Sequence, residues 1–98
     1  MKVLLLDEAS AQFEAEDAWW RENRDHKELF VDEFEATLRR IVELPQAGQR
    51  YRWKGGCLIQ RWLMSKTRCH VYYFHDRDND ILEIHSVWGA RRKRGPKL

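Results

Sequence analysis

Cysteine and proline are almost missing from this chain of 98 residues: there are two of each, alongside only five glycines. Two cysteines cannot build the disulfide framework of a small secreted domain. In the strand register developed below, Cys57 lies opposite residues near His75 and not opposite Cys69, so the spacing a bridge needs is denied and two thiols are expected. The same pair, twelve residues apart, does not have zinc-ligand spacing, and His26, His70 and His75 add no metal pattern. Gly55-Gly56 is not followed by the Lys-Ser/Thr of a phosphate-binding loop. No metal and no cofactor are therefore expected. There is no low-complexity stretch or linker apart from a basic C-terminal tail. No apolar run reaches the roughly eighteen residues a membrane span requires. The opening Met1-Lys2-Val3-Leu4-Leu5-Leu6 is too short for a signal-peptide core and turns acidic at Asp7-Glu8. A cytoplasmic protein without membrane partners is the expectation.

What the chain does have is charge and aromatic rings. It is 43% hydrophobic and 35% charged, with five Trp, four Phe and three Tyr, enough to build one core. The net charge of +2 conceals a division. Residues 1–49 carry six Lys/Arg against twelve Asp/Glu, a net of −6, and residues 50–98 carry twelve against four, a net of +8. The basic half suits nucleic acid or an acidic protein surface.

Periodicity gives the elements. Residues 2–6 form a continuous apolar run, expected to be a short strand buried on both faces. Asp7 is placed to cap a helix running to about Arg24, with Ala9, Phe13 and Trp20 on one face and Ala11, Ala15, Ala18 and Trp19 on another. Asp25 with Glu28 has the form of a capping box opening a second helix. On that helix Phe30, Val31, Phe34, Leu38, Ile41, Val42 and Leu44 share an arc of roughly 160°, and Pro45 and Gly48 stop it. From Gln49 onward the period becomes two. Strands are expected at 49–54, at Cys57–Met64, at Cys69–His75 and at Ile81–Trp88, with a loop over Ser65–Arg68 and a tight turn over Asp78-Asn79. The fold class is α+β, β-α-α-β-β-β-β, a helical hairpin on one face of a mainly antiparallel twisted sheet. Residues 1–90 would form the domain and 91–98 the tail.

The two loop lengths fix registers. Tyr73 is placed opposite Ile84, and Tyr72 opposite both His85 and Arg61. One sheet face then collects Trp62, Met64, Val71, Tyr73, Leu82, Ile84 and Trp88 as core. The other collects Arg61, Tyr72 and His85 in a row, suited to phosphate binding, stacking and proton transfer respectively. An ordinary solvated sheet face would carry the same cross-strand pairs. Arg50-Tyr51-Arg52-Trp53-Lys54 interleaves cations with aromatic rings, as single-stranded nucleic acid requires and as a guarded edge strand also does. Arg91 and Arg92 open a basic tail that would either neutralise phosphates or simply solubilise the terminus.

Taken together, these features resemble the RelE/ParE superfamily of bacterial type II toxin–antitoxin toxins. The resemblance spans nearly the whole chain. It rests on the short first strand, the hairpin ending in Leu44-Pro45, Arg61 in the first long meander strand, His70-Val71-Tyr72-Tyr73 in the next, and the closing Ile84-His85-Ser86-Val87-Trp88-Gly89-Ala90-Arg91-Arg92. That ending is similar to the V-W/L-H-x-R-R close of ParE-like plasmid-stabilisation proteins. The resemblance implies growth inhibition and a hetero-oligomeric complex with a cognate antitoxin. ParE-like members bind DNA gyrase without catalysis; RelE-like members cut mRNA, free or on the ribosome. The absence of a Tyr after Trp88, and Gly89 where many relatives have His, favour the ParE-like reading. In the RelE-like alternative Arg61, Tyr72 and His85 are the candidate catalytic residues. Arg50, Arg52, Lys54, Arg61, Arg91 and Arg92 are the candidate contacts to target or RNA. A plain nucleic-acid-binding module explains the charge but not the order of elements.

Overall fold

Seven principal elements follow one another: β1 (Lys2–Leu5), α1 (Asp7–Asn23), α2 (Leu29–Glu43), β2 (Gln49–Lys54), β3 (Cys57–Met64), β4 (Cys69–Asp76) and β5 (Ile81–Gly89), with a 3₁₀ turn at Pro45–Ala47. The structure is a computed structural model and describes residues 1–90 and 92–98. The sheet order is β1-β5-β4-β3-β2. Strands β2 to β5 form an antiparallel meander, while β1 lies parallel to β5. A parallel neighbour needs a long crossover, and here the helical hairpin and three strands supply it. Among the described residues, no helix is long and apolar enough to cross a membrane.

The helices cover one face. Phe30, Phe34 and Ile41 of α2, with Ala9 and Trp20 of α1, pack on Met64, Cys69, Val71, Tyr73, Leu82, Ile84 and Val87. Phe13 closes an aromatic cluster, its ring 5.3 Å from Phe30 and 4.8 Å from Phe34. Rings that size contribute about 2–3 kcal/mol each on burial, so this cluster is the main tie between the helices. Leu44, expected on the buried arc, lies beyond the end of α2 and is 62% exposed.

Three local expectations are corrected. Strand β1 is not buried on both faces: it is the sheet edge, and Val3 and Leu4 remain 36% and 40% exposed. Asp7 is not the cap of α1. The Leu6 N–H still donates to Ile84 O as an extension of the sheet, so Leu6 becomes the N-cap and Asp7 falls in the first turn, where its charge suits the helix dipole. The Asp25–Glu28 capping box does not form either. Glu28 is itself the N-cap of α2, without a side-chain cap bond, and its carboxylate faces Arg21 of α1 at 3.6 Å.

The turns set the registers. Gly55 and Gly56 both have positive φ (55° and 82°), the pair a tight β2–β3 hairpin requires. The 65–68 loop is closed by Arg68 N–H donating to Met64 O, and α2 holds it. Glu33 accepts from the Lys66 N–H and from both the N–H and the hydroxyl of Thr67, at 2.7–2.8 Å. In the next turn strand pairing ends at Asp76↔Ile81, and the positive φ falls on Asp80, not on Asp78-Asn79. The Asn79 side chain and N–H are held by the Asp76 carboxylate, which these bonds keep below the usual carboxylate range.

The register departs from expectation once. Tyr73 lies opposite Ile84 as anticipated, but a β-bulge next to it places Ser86, not His85, opposite Tyr72. One extra residue in β5 reverses everything after it. Val87 therefore enters the core, and Trp88, expected there, pairs with His70 on the other face. The bulge is supported from α1: Gln12 Oε1 accepts from the Ser86 hydroxyl and the Val87 N–H, both at 2.8 Å, where β1 no longer flanks β5.

Candidate functional site

The face turned away from the helices carries the candidate site. Arg61 of β3 stands between Gln49 of β2 and Tyr72 of β4. Its Nε donates to Gln49 Oε1 at 2.8 Å and its Nη1 reaches the Tyr72 hydroxyl at 3.5 Å. Tyr51, the bulged residue of β2, sets its ring edge-on to Tyr72 at 4.8 Å. The guanidinium carbons of Arg61 and Arg52 lie 5.3 and 5.1 Å from the Tyr51 ring centre. The Arg61 fork is thus pinned on two sides and keeps its remaining N–H groups for an anion.

His70 completes the cluster. It sits on β4 two residues before Tyr72, and the two rings are 5.9 Å apart. Burial, and then the nearby Arg61 charge, lower its pKa below the ordinary 6.5. Its imidazole is therefore neutral near neutral pH and able to accept a proton. His70 and Arg61 line a groove of about 300 Å³ together with Ala47, Gly48, Gln49 and Leu63. Sequence alone does not single out His70, whose signal is only positional: it shares a face with Tyr72 by simple alternation.

The expected row is therefore only partly assembled. Arg61 and Tyr72 meet. His85 does not join them: it is the bulged residue, and its Nε2 lies 3.1 Å from Glu83 Oε1. The cations expected at the target surface separate. Arg52 stays with Tyr51, whereas Arg50 lies opposite Gln60 and lines a different cavity with Gln46, His75 and Arg77. Lys54 is exposed at the Gly55 turn. Arg92 stacks over Trp88, 4.1 Å from ring carbon centre to guanidinium carbon. Arg91 lies outside the described residues.

Behind the groove, hydrogen bonds and close packing hold the helix-side floor. The Tyr73 hydroxyl donates to Pro45 O at 2.7 Å and fills the space over Gly48, where a Cβ would overlap it. Gln60 Nε2 donates to Gly48 O at 2.9 Å. Burial pushes the Tyr73 pKa up to about 12.

No protein-family model matches the sequence, and no curated protein matches it either. Among solved structures, the chain is similar to the isolated RelE toxin of E. coli, with a TM-score of 0.63 and 15% identity over 95% of this chain and 87% of that one. At that identity the likeness establishes the fold: two helices on a five-stranded, mostly antiparallel sheet, as in RelE.

Proposed function

We propose that this chain is the toxin of a bacterial type II toxin–antitoxin module and acts as an endoribonuclease on mRNA, free or on the ribosome. The RelE fold and the motifs of the last two strands support the toxin reading. The observation that carries the activity is the grouping of a neutral His70 and a pinned Arg61 at one groove, with the buried Tyr72 hydroxyl directly behind Arg61.

The chemistry is phosphoryl transfer within RNA. His70 takes the proton of a ribose 2′-hydroxyl as its oxygen attacks the adjacent phosphorus. Arg61 holds the phosphate oxygens on which charge accumulates. The bond to the 5′-oxygen breaks, and that oxygen receives a proton from Tyr72, whose hydroxyl faces Arg61. A 2′,3′-cyclic phosphate and a 5′-hydroxyl result. Purified protein should cut a defined mRNA, and His70→Ala or Arg61→Ala should slow it by about a hundredfold or more without unfolding it. Full activity in both variants would remove this assignment.

One observation favours a second reading, binding of DNA gyrase: no Tyr follows Trp88. Induced cells separate the two. Early loss of mRNA with intact DNA supports cleavage, and early DNA damage with intact mRNA supports gyrase.

In either reading the partner is a cognate antitoxin, an acidic and partly disordered chain that orders on the basic half of this one. Expression without it should arrest growth.

A further inference from the structure

The C-terminal residues do not trail into solvent. The Trp88 indole N–H donates to Arg94 O at 2.7 Å. At the next residue, a Cβ on Gly95 would sit 2.6 Å from the Tyr51 hydroxyl. Pro96 is buried and Leu98 half-buried. Trp88 belongs to β5 and Tyr51 to β2, and the strands between them, β4 and β3, carry Tyr72 and Arg61. Arg94 and Gly95 are therefore held over the open face between two aromatic rings from opposite sides of the site. Two residues on that face point the same way. Ile59 and Tyr72 lie outside the helix-side core, yet they are 0% and 2% exposed.

We infer that the slot between Trp88 and Tyr51 is a binding site for a base of single-stranded RNA, and that residues 92–98 occupy it as a strap in the resting protein. The inference rests on the ribonuclease reading and adds where the substrate base goes. The slot offers the Trp88 ring for stacking once Arg92 leaves it with the strap, the Tyr51 ring at its far end, and one N–H donor now satisfied by a peptide carbonyl. A base carbonyl, as on uracil or guanine, satisfies the same donor. Cations of the strap itself, Arg92 to Arg94, would then be released beside the incoming phosphates, so the cover becomes part of the electrostatic surface when displaced.

Gly95→Leu tests this while preserving every charge, because a side chain there meets the hydroxyl of Tyr51, whose ring is held by Tyr72, Arg52 and Arg61. Two readouts are needed: solvent exchange of the Trp88 indole proton by NMR, assigned with Trp88→Phe, and affinity for a short fluorescent oligouridylate. The expected result is faster indole exchange together with about tenfold tighter RNA binding, the gain from clearing one stacking site. Adding Trp88→Phe to that variant should cancel most of the gain. Faster exchange with unchanged or weaker affinity would overturn the slot assignment. If indole exchange does not change, a chain ending at Lys93 removes the Arg94 and Gly95 contacts with Trp88 and Tyr51 outright. It should bind the oligouridylate more tightly at high salt, where the lost cations count least, and unchanged or weaker binding there overturns the inference. Strap variants that bind RNA more tightly but leave it uncut would count against the ribonuclease reading alone.

Discussion

His70 and Tyr73 stand on opposite faces of β4, and their surroundings move their pKa values in opposite directions. For His70 the protonated form is disfavoured, so it remains a base below the ordinary 6.5. The acid limb of the cleavage rate should therefore lie at lower pH than an ordinary histidine would give. Arg61→Gln removes the smaller of the two causes and should shift the surviving acid limb upward, towards 6.5, in a pH–rate profile. For Tyr73 the neutral phenol is favoured, with a pKa of about 12 against an ordinary 10.0. Its contribution to stability is complete below pH 10 and is lost as pH rises towards 12. Chemical denaturation across that range should show the decline, and Tyr73→Phe should flatten it while costing about 1 kcal/mol for the lost bond to Pro45. Gly48→Ala should destabilise by about 1–3 kcal/mol, since its methyl would collide with the Tyr73 hydroxyl.

At the scale of elements, the β3–β4 turn depends on one carboxylate. Glu33→Ala removes all three bonds that tie Lys66 and Thr67 to α2. A loss of about 2 kcal/mol is expected, measurable as a lower denaturation midpoint with an unchanged slope. Most strands were legible because alternation is a long, redundant signal: β3 runs from Cys57 to Met64 as the pattern implies, and Arg61 does face Tyr72. The helix starts were not legible, because competing tertiary bonds decided them. Leu6 is held by β5, and Glu28 is drawn to Arg21. The bulge in β5 was hidden for a related reason. Its cause is Gln12 on a helix more than seventy residues earlier in the chain, and no local pattern around Ser86 announces it. That single irregularity is why His85 leaves the row beside Tyr72 and why Trp88 lies on the open face.

For the whole molecule, the division of charge and the division of faces serve different ends. The helices and β1 belong to the acidic first half, net −6, and strands β2 to β5 with the tail to the basic second half, net +8. The groove with Arg61 and His70 lies entirely on sheet residues and the short link before β2. On the proposed reading an acidic antitoxin is drawn to the half that holds the candidate site, and its affinity should fall steeply with added salt. The most direct measurement is cleavage of a defined mRNA by the purified chain, with and without ribosomes, compared with His70→Ala and Arg61→Ala proteins of unchanged fold. Cutting that leaves 2′,3′-cyclic phosphate ends and falls by about a hundredfold in both variants is predicted. Intact RNA under every condition, or cutting that neither substitution slows, would contradict it.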